Sequence, residues 1–262
     1  YVATKAGIIQ QDDRSGILCA MLLKWIRDGY VNFTMEPSTG WFKKDKYEID
    51  FSGEISTENI LEEKMLGYFR EASGDNQILE NKEFERWCKR NYEEIEDWFN
   101  DLIEFEEKEL KEKGLMKKQT TYKKFLGIDI ANEKVVYEPS FRDDIIYTKG
   151  LKRFLLDFSS IEEKEVIEVK LWEEYLMFAS ILGIADEVEK QIGKLCPEFN
   201  QYSNIDYTYT MLATRTFMYG GVRSAANAYS AAHSSSYSGG GGFSSFGGGG
   251  GGFSGGGGGG SR

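Results

Sequence analysis

Hydrophobic positions near the start of the chain are spaced in two different ways. Between Ser15 and Asp28 they recur every three or four residues, and Gly29 follows. This spacing predicts an amphipathic helix that ends at the glycine. At 31–35 and again at 47–51, apolar and polar residues alternate on either side of a polar loop. Alternation of this kind predicts a β-hairpin with one buried face, and a helix followed by a hairpin is typical of the closing half of a winged helix.

Helical spacing dominates the middle of the chain. One helix is predicted to begin at Ser56, whose hydroxyl suits an N-cap, and to end by Gly74. A longer helix is predicted from about Asn81 to Lys113, with Gly114 directly after it. The middle of the chain is therefore expected to consist of two helices joined by a short connection.

The segment from 117 to 150 has the weakest periodicity. A run of β-branched and aromatic residues at 135–137 predicts a short strand, which Pro139 ends. Helical spacing returns after Gly150 and continues to Pro197, which cannot extend a helix. We therefore expect a connector followed by C-terminal helices.

Together these patterns predict a predominantly helical α+β fold. The order helix, glycine, apolar pair occurs at both 22–31 and 110–116. It favours one or two winged-helix-like units, followed by a C-terminal helical unit and a disordered glycine-rich tail. The predicted division is a winged-helix-like unit at 1–55, a helical or second, degenerate winged-helix unit at 56–118, a connector at 119–149, a helical unit at 150–200 and a low-complexity tail at 201–262.

Composition separates the end of the chain from the rest. Residues 201–262 are mostly Ser, Ala, Tyr and Gly, and the segment from Gly239 to Arg262 includes 16 glycines and no aliphatic residue. Such a segment buries too little apolar surface to offset the entropy lost on ordering it. The hydrophobic core is therefore predicted within residues 1–200. The glycine runs have no strand before them and no helix after them, so they do not form a phosphate loop.

The charge balance argues against nucleic acid as the default partner. The formal net charge is −11, and residues 201–262 carry three arginines against one aspartate, so residues 1–200 carry −13. An acidic body repels phosphate backbones. Nucleic-acid binding through the first winged helix is nevertheless the alternative function that the predicted fold raises.

That alternative depends on basic residues of the first helix and the hairpin loop. These residues are Lys24, Arg27, Lys43, Lys44 and Lys46. From residue 14 to residue 50, however, six basic residues stand against five acidic ones, whereas a nucleic-acid reader shows a clear basic excess on its docking face. We therefore expect a winged helix that serves packing or protein contact. This alternative predicts that the chain binds nucleic acid in a salt-dependent way and that the substitutions Lys43→Glu and Lys44→Glu weaken the binding.

The sequence contains no residue set typical of a catalytic or metal site. The single histidine, His233, lies in the low-complexity region, where no packed scaffold holds it against a nucleophile. Zinc sites need clustered Cys and His. Cys19, Cys88 and Cys196 stand singly, as expected of buried free thiols in a reducing compartment. We therefore predict no enzymatic activity and no cofactor; a hydrolase that uses two buried carboxylates of divergent pKa is the least favoured alternative.

Three segments and the tail resemble the YciQ-like family of predicted bacterial membrane proteins, whose function is unknown. The segments are Ile17–Val31 (ILCAMLLKWIRDGYV), Gly150–Phe158 (GLKRFLLDF) and Leu171–Val188 (LWEEYLMFASILGIADEV). The ending GGGGFSSFGGGGGGFSGGGGGGSR is similar to that family's glycine–phenylalanine–serine tail with its terminal basic residue. The resemblance covers most of residues 15–262.

The resemblance implies a position on the cytoplasmic side of a membrane protein, attached through other parts of the full-length chain. It also implies a hydrophobic hairpin before the last helices, but residues 117–150 contain no apolar run long enough to span a bilayer. The family has no established catalytic residues. The leading hypothesis is therefore a non-catalytic cytoplasmic interaction or scaffolding region with an unidentified protein partner, and nucleic acid is the disfavoured partner.

Overall fold

The structure, a computed structural model, describes residues 14–36, 46–57, 59–125, 128–157, 169–195 and 207–234. The chain has a predominantly helical α+β fold with small antiparallel sheets, and this confirms the predicted fold class. The predicted disordered tail at Gly239–Arg262 lies outside the described residues.

The described helices and strands follow one another in a mixed order. The helices are α1 (Ser15–Arg27), α2 (Ile60–Ser73), α3 (Asn81–Arg90), α4 (Tyr92–Glu112), α5 (Pro139–Asp157), α6 (Val169–Ile181), α7 (Ala185–Leu195) and α8 (Tyr207–Ser234). The strands are β1 (Asn32–Glu36), β2 (Lys46–Asp50), β3 (Ile78–Glu80), β4 (Met116–Phe125) and β5 (Ile128–Tyr137). A 3-10 turn, Gly74–Asn76, joins α2 to β3.

The predicted first helix and hairpin are confirmed. Helix α1 is followed by the antiparallel strands β1 and β2, in which Phe33 lies opposite Ile49. Strand β3 pairs with the other edge of β2 and places Leu79 opposite Ile49, so that the sheet order is β1-β2-β3. The third strand was not predicted, because it has only three residues and α2 separates it from the hairpin.

Two predicted helix boundaries are wrong. Helix α2 does not begin at Ser56: its N-cap is Asn59, whose side chain accepts hydrogen bonds from the backbone N–H groups of Leu61 and Glu62. The single long helix predicted from 81 to 113 is two helices, α3 and α4, which meet at Asn91 with φ −109° and ψ 42°. Asparagine is a poor residue for a helix interior and a good one for a helix end, because its short amide competes for backbone hydrogen bonds.

The segment predicted as a connector, 119–149, contains regular structure. Strands β4 and β5 form a long antiparallel hairpin from the pair Met116–Tyr137 to the pair Phe125–Ile128. Helix α5 then begins at Pro139, a residue that suits the first turn of a helix because no N–H is needed there. The strand prediction at 135–137 found only the end of β5, because the hairpin packs on the core at its base alone and therefore lacks an alternating apolar face.

The prediction that the core lies within residues 1–200 is also wrong. Helix α8 buries Met211, Phe217, Met218 and Ala225 in the main hydrophobic core. These residues lie at helical spacing, and the alanines within α8 favour a helix. Composition concealed this helix, since its residues are small and nearly uncharged like those of the tail that follows.

Helix α1 is the centre of the main core. Leu18, Leu22 and Trp25 are buried, and α1 contacts both α6 and α8. Trp25, Trp87 and Trp98 are all buried. A second, smaller core at the base of the β4–β5 hairpin consists of Leu110, Met116 and Phe141 with half-buried neighbours. The main core holds the helices around the candidate site in place.

Candidate interaction groove

An open groove of about 510 Å³ lies beside the central helix. Helix α1 forms one wall, the start of α2 and the middle of α4 form a second, and α6 forms the third. The apolar lining includes Ile17, Ala20, Met21, Leu61, Trp98, Leu102, Met177, Phe178 and Ile181. The charged lining consists of Lys24, Arg27, Glu62 and Glu174. We call this cleft the α1–α6 groove; its lining is apolar with charges from three helices.

The α6 wall of the groove is more exposed than the sequence predicts. Ala179 of α6 and Leu182 directly after the helix are buried in the core. Phe178, next to Ala179, is 46 % exposed and lines the groove, and Met177 lines the groove as well. The apolar face of α6 is wider than the core can cover, because apolar residues occupy adjacent positions of the helix.

Glu62 organises the charged side of the groove. Its carboxylate forms an ion pair with Lys24, with Nζ–O distances of 2.8 and 3.0 Å. It also accepts hydrogen bonds from the indole Nε1 of Trp25 at 3.3 Å and from the hydroxyl of Thr57 at 3.2 Å. Three donors therefore fix this acid at the boundary between the apolar lining and solvent.

Arg27 also interacts with carboxylates. Its Nε donates to Asp28 at 2.8 Å. The hydrogen bond with Asp28 raises the pKa of the guanidinium, and the negative charges of Asp28, Glu173 and Glu174 raise it further. The negative potential of helix α6 therefore extends to this side of the groove.

The candidate nucleic-acid-binding residues do not form one cluster, and those that the structure describes form ion pairs with acidic side chains. Lys46, on β2, contacts Glu48 at 2.5 Å and Glu80 at 3.0 Å, and hydrogen bonds to these two carboxylates raise its pKa. Lys24 and Arg27 are paired as described above. Lys43 and Lys44 lie outside the described residues. Each described member of the predicted basic set therefore has its charge balanced by a neighbouring acid, which leaves little net attraction for phosphate.

The single histidine lies on a helix and not on a tail. His233 is in the last turn of α8, where its Nδ1 donates to the backbone oxygen of Tyr229 at 2.9 Å and its ring stacks on the ring of Tyr229 at 4.1 Å. A second cleft of about 370 Å³ contains His233 together with Arg14 and Glu96, which form an ion pair at 2.6 Å. The histidine is thus fixed by its own helix.

The described cysteines are buried in the core. Cys19 and Cys88 are thiols with no exposed surface, and this confirms the predicted burial; the Cys19 thiol donates to the hydroxyl of Ser180 at 3.7 Å. Cys196 lies outside the described residues. Burial raises the pKa of the Cys88 thiol, so that its reactive thiolate form is suppressed at neutral pH. Among the residues that the structure describes, no group of three His, Cys, Asp or Glu side chains is placed to hold a metal ion.

Sequence reasoning placed Met21, Lys24 and Phe178 on helices but did not find the groove. The groove combines helices from opposite ends of the chain, and their juxtaposition depends on tertiary packing. The signal present in the sequence was the broad apolar face of α6, with Met177 and Phe178 in succession.

Comparison with known proteins relates one segment of the chain to a protein family. No curated protein and no solved structure matches the chain. Within the described ranges, no helix is both long and apolar enough to cross a membrane. Residues 145–192, which cover most of α5, all of α6 and most of α7, match a family model described as "Predicted membrane protein (DUF2207) C-terminal domain".

Proposed function

We propose that the chain is a non-catalytic interaction or scaffolding region on the cytoplasmic side of a YciQ-like membrane protein, and that its α1–α6 groove binds a basic amphipathic helix of a protein partner. The observation that carries the proposal is the open apolar lining of the groove, with Glu174 exposed at its edge. The match of residues 145–192 to a predicted membrane protein domain supports the membrane attachment, and the buried free thiol of Cys88 is consistent with a reducing compartment.

A helix is the partner element that suits this groove. Grooves between packed helices bind amphipathic helices through apolar anchors spaced three or four residues apart. Met21 lies on the α1 wall and Met177 on the α6 wall, and the flexible methionine side chain adapts to different apolar anchors. Phe178 adds a partly exposed aromatic ring of the kind that dominates binding energy at interfaces.

Charge selects a basic helix over an acidic one. Glu174 is exposed at the edge of the groove, and Glu173 precedes it on α6. The chain as a whole carries −11, so that a positively charged partner is attracted from a distance and an acidic one is repelled. Nucleic acid is disfavoured for the same reason, together with the pairing of Lys24, Arg27 and Lys46.

A peptide-binding assay tests this function. The probe is a fluorescein-labelled peptide of leucine and lysine patterned as an amphipathic helix, titrated with the full chain and followed by fluorescence anisotropy. Phe178→Ser removes an apolar anchor without changing charge, so affinity is expected to fall at least about tenfold. Tyr122→Ser is the matched control, because Tyr122 is an exposed aromatic residue on β4, away from the groove; its affinity is expected to be unchanged.

The same assay tests the charge preference. A leucine–glutamate peptide of the same pattern is expected to bind at least about tenfold more weakly. No binding of the basic peptide, or equal effects of the Phe178 and Tyr122 substitutions, contradicts the proposal. Circular dichroism of each variant checks that the fold is retained.

A further inference from the structure

The end of the last helix lies near one end of the α1–α6 groove. His233, in the last turn of α8, lines the second cleft together with Arg14, the N-cap residue of α1. Ile17, about one helical turn after Arg14, lines the groove. Helix α4 also borders both clefts. The part of the chain that follows Ser234 therefore starts close to the groove.

The sequence after α8 contains a pair of phenylalanines among small residues. Residues 235–242 are serine, tyrosine and glycine, and Phe243 and Phe246 follow them. No residue from 235 to 261 is charged. These positions lie outside the described residues. The two phenyl rings are large apolar groups of the kind that an apolar cleft buries.

The spacing of this pair suits the length of the groove. Phe243 comes nine positions after Ser234, and an extended chain of that length reaches about 30 Å. Phe243 and Phe246 are three positions apart, which corresponds to about 10 Å of extended chain. Helix α1 lines the groove from Ile17 to Arg27, which is about 15 Å of helix. The groove is therefore long enough, and close enough, to accept both rings.

We propose that Phe243 and Phe246 occupy the α1–α6 groove of their own chain and compete with a partner helix for it. The proposal rests on the proposed function, because it assigns an internal competitor to the same groove. Met21, Met177 and Phe178 provide apolar and aromatic surface to which phenylalanine side chains bind. A short tether within one chain gives an effective concentration of about 1 mM, so that even weak contacts lead to occupancy.

The lack of charge distinguishes this occupant from a basic helix. Residues 235–261 are neutral, so their binding relies on apolar contact and is not weakened when salt screens charges. Binding of a basic helix to the acidic chain does weaken with salt. A partner helix therefore displaces the two phenylalanines most effectively at low ionic strength.

The methyl signals of methionine test the occupancy without any added peptide. The full chain with methyl-labelled methionine is compared by NMR with the double variant Phe243→Ser with Phe246→Ser. The signals of Met21 and Met177, which line the groove, are expected to shift because the ring currents of the two phenylalanines are lost. The signal of Met65, fully buried in the core, is expected to remain in place.

The difference between the two proteins is expected to be the same at low and high salt and at every protein concentration, because the contact is apolar and within one chain. Identical signals of Met21 and Met177 in the two proteins overturn the proposal. A difference that disappears on dilution also overturns it, since the segment then binds the groove of a second copy.

Peptide binding measures the competition. Loss of the two phenylalanines is expected to tighten binding of the leucine–lysine peptide about threefold or more, because the internal competitor is removed. Tyr122→Ser with Tyr147→Ser removes two exposed aromatic rings on β4 and α5 and is expected to leave the affinity unchanged. Equal affinities of the phenylalanine variant and the unchanged chain overturn the proposed competition.

The two readouts separate this proposal from the proposed function. A difference in the methyl signals without any peptide binding contradicts the proposed function and supports the internal occupant. Peptide binding without a difference in the methyl signals supports the proposed function and overturns the internal occupant.

Discussion

At the residue scale, Gly29 and Gly114 end helices α1 and α4 with the same hydrogen bonds. The N–H of Tyr30 donates to the carbonyl of Trp25 at 2.9 Å, and the N–H of Leu115 donates to that of Leu110 at 2.8 Å. Both glycines have positive φ, 74° and 70°. This is the Schellman arrangement, in which a left-handed residue satisfies the last carbonyls of a helix. The recurrence gives a structural basis to the repeated order of helix, glycine and apolar pair, because each motif leads directly into a hairpin.

Alanine substitution at Gly29 is predicted to destabilise the protein. Nothing lies within 4 Å of a Cβ added at this position, so the cost comes from the left-handed backbone alone, about 1 kcal/mol. Gly67→Ala is the matched control: Gly67 is exposed in the interior of α2 with equally open space, and alanine there is predicted to stabilise by about 0.5–1 kcal/mol. Urea unfolding of both variants measures these changes; a shift of the same sign in both contradicts the explanation.

At the scale of elements, α8 packs on α3 through a close approach. The rings of Phe84 and Phe217 stack with centroids 5.3 Å apart. A Cβ added at Gly221 would lie 2.1 Å from the Phe84 ring, whereas one added at Gly220 meets only the carboxylate end of Glu85 at 2.7 Å. The small residues of α8 therefore allow the helix to reach the buried aromatic cluster.

Gly221→Ala is accordingly predicted to destabilise the protein by about 1–3 kcal/mol, because the buried ring has no space into which to move. Gly220→Ala is predicted to cost much less, since the flexible end of Glu85 shifts into solvent. Thermal unfolding of the two variants makes the comparison. If they lose stability equally, the packing of α8 on α3 does not depend on Gly221.

Helices and strands were predictable from the sequence where one face of the element is apolar and the residues that form this face are close together in the chain. The stripe of α1 and the alternation at 31–35 and 47–51 met this condition, and the structure confirms both elements. The hairpin β4–β5 did not meet it, because its strands are held mainly by their own ladder. Helix α8 had the periodicity, but the low-complexity composition around it outweighed that signal.

At the scale of the whole molecule, the candidate site depends on contacts that no local pattern contains. Sequence placed Lys24 on α1 and predicted an acidic, non-catalytic body. It did not bring Lys24 to Glu62 on α2 or place Phe178 at a groove edge, because these contacts join segments far apart in the chain. The fold gives the chain an open apolar groove whose charged lining has two basic and two acidic side chains. We expect this groove to bind a protein helix.

The most direct test of the groove is the response of its own methionines. In chain with methyl-labelled methionine, addition of the leucine–lysine peptide is predicted to shift the NMR methyl signals of Met21 and Met177, which line the α1–α6 groove, in proportion to peptide bound. The signal of Met65, fully buried in the core, is predicted to remain in place. Binding of the peptide without a shift at Met21 and Met177 would contradict the proposal that this groove is the interaction site.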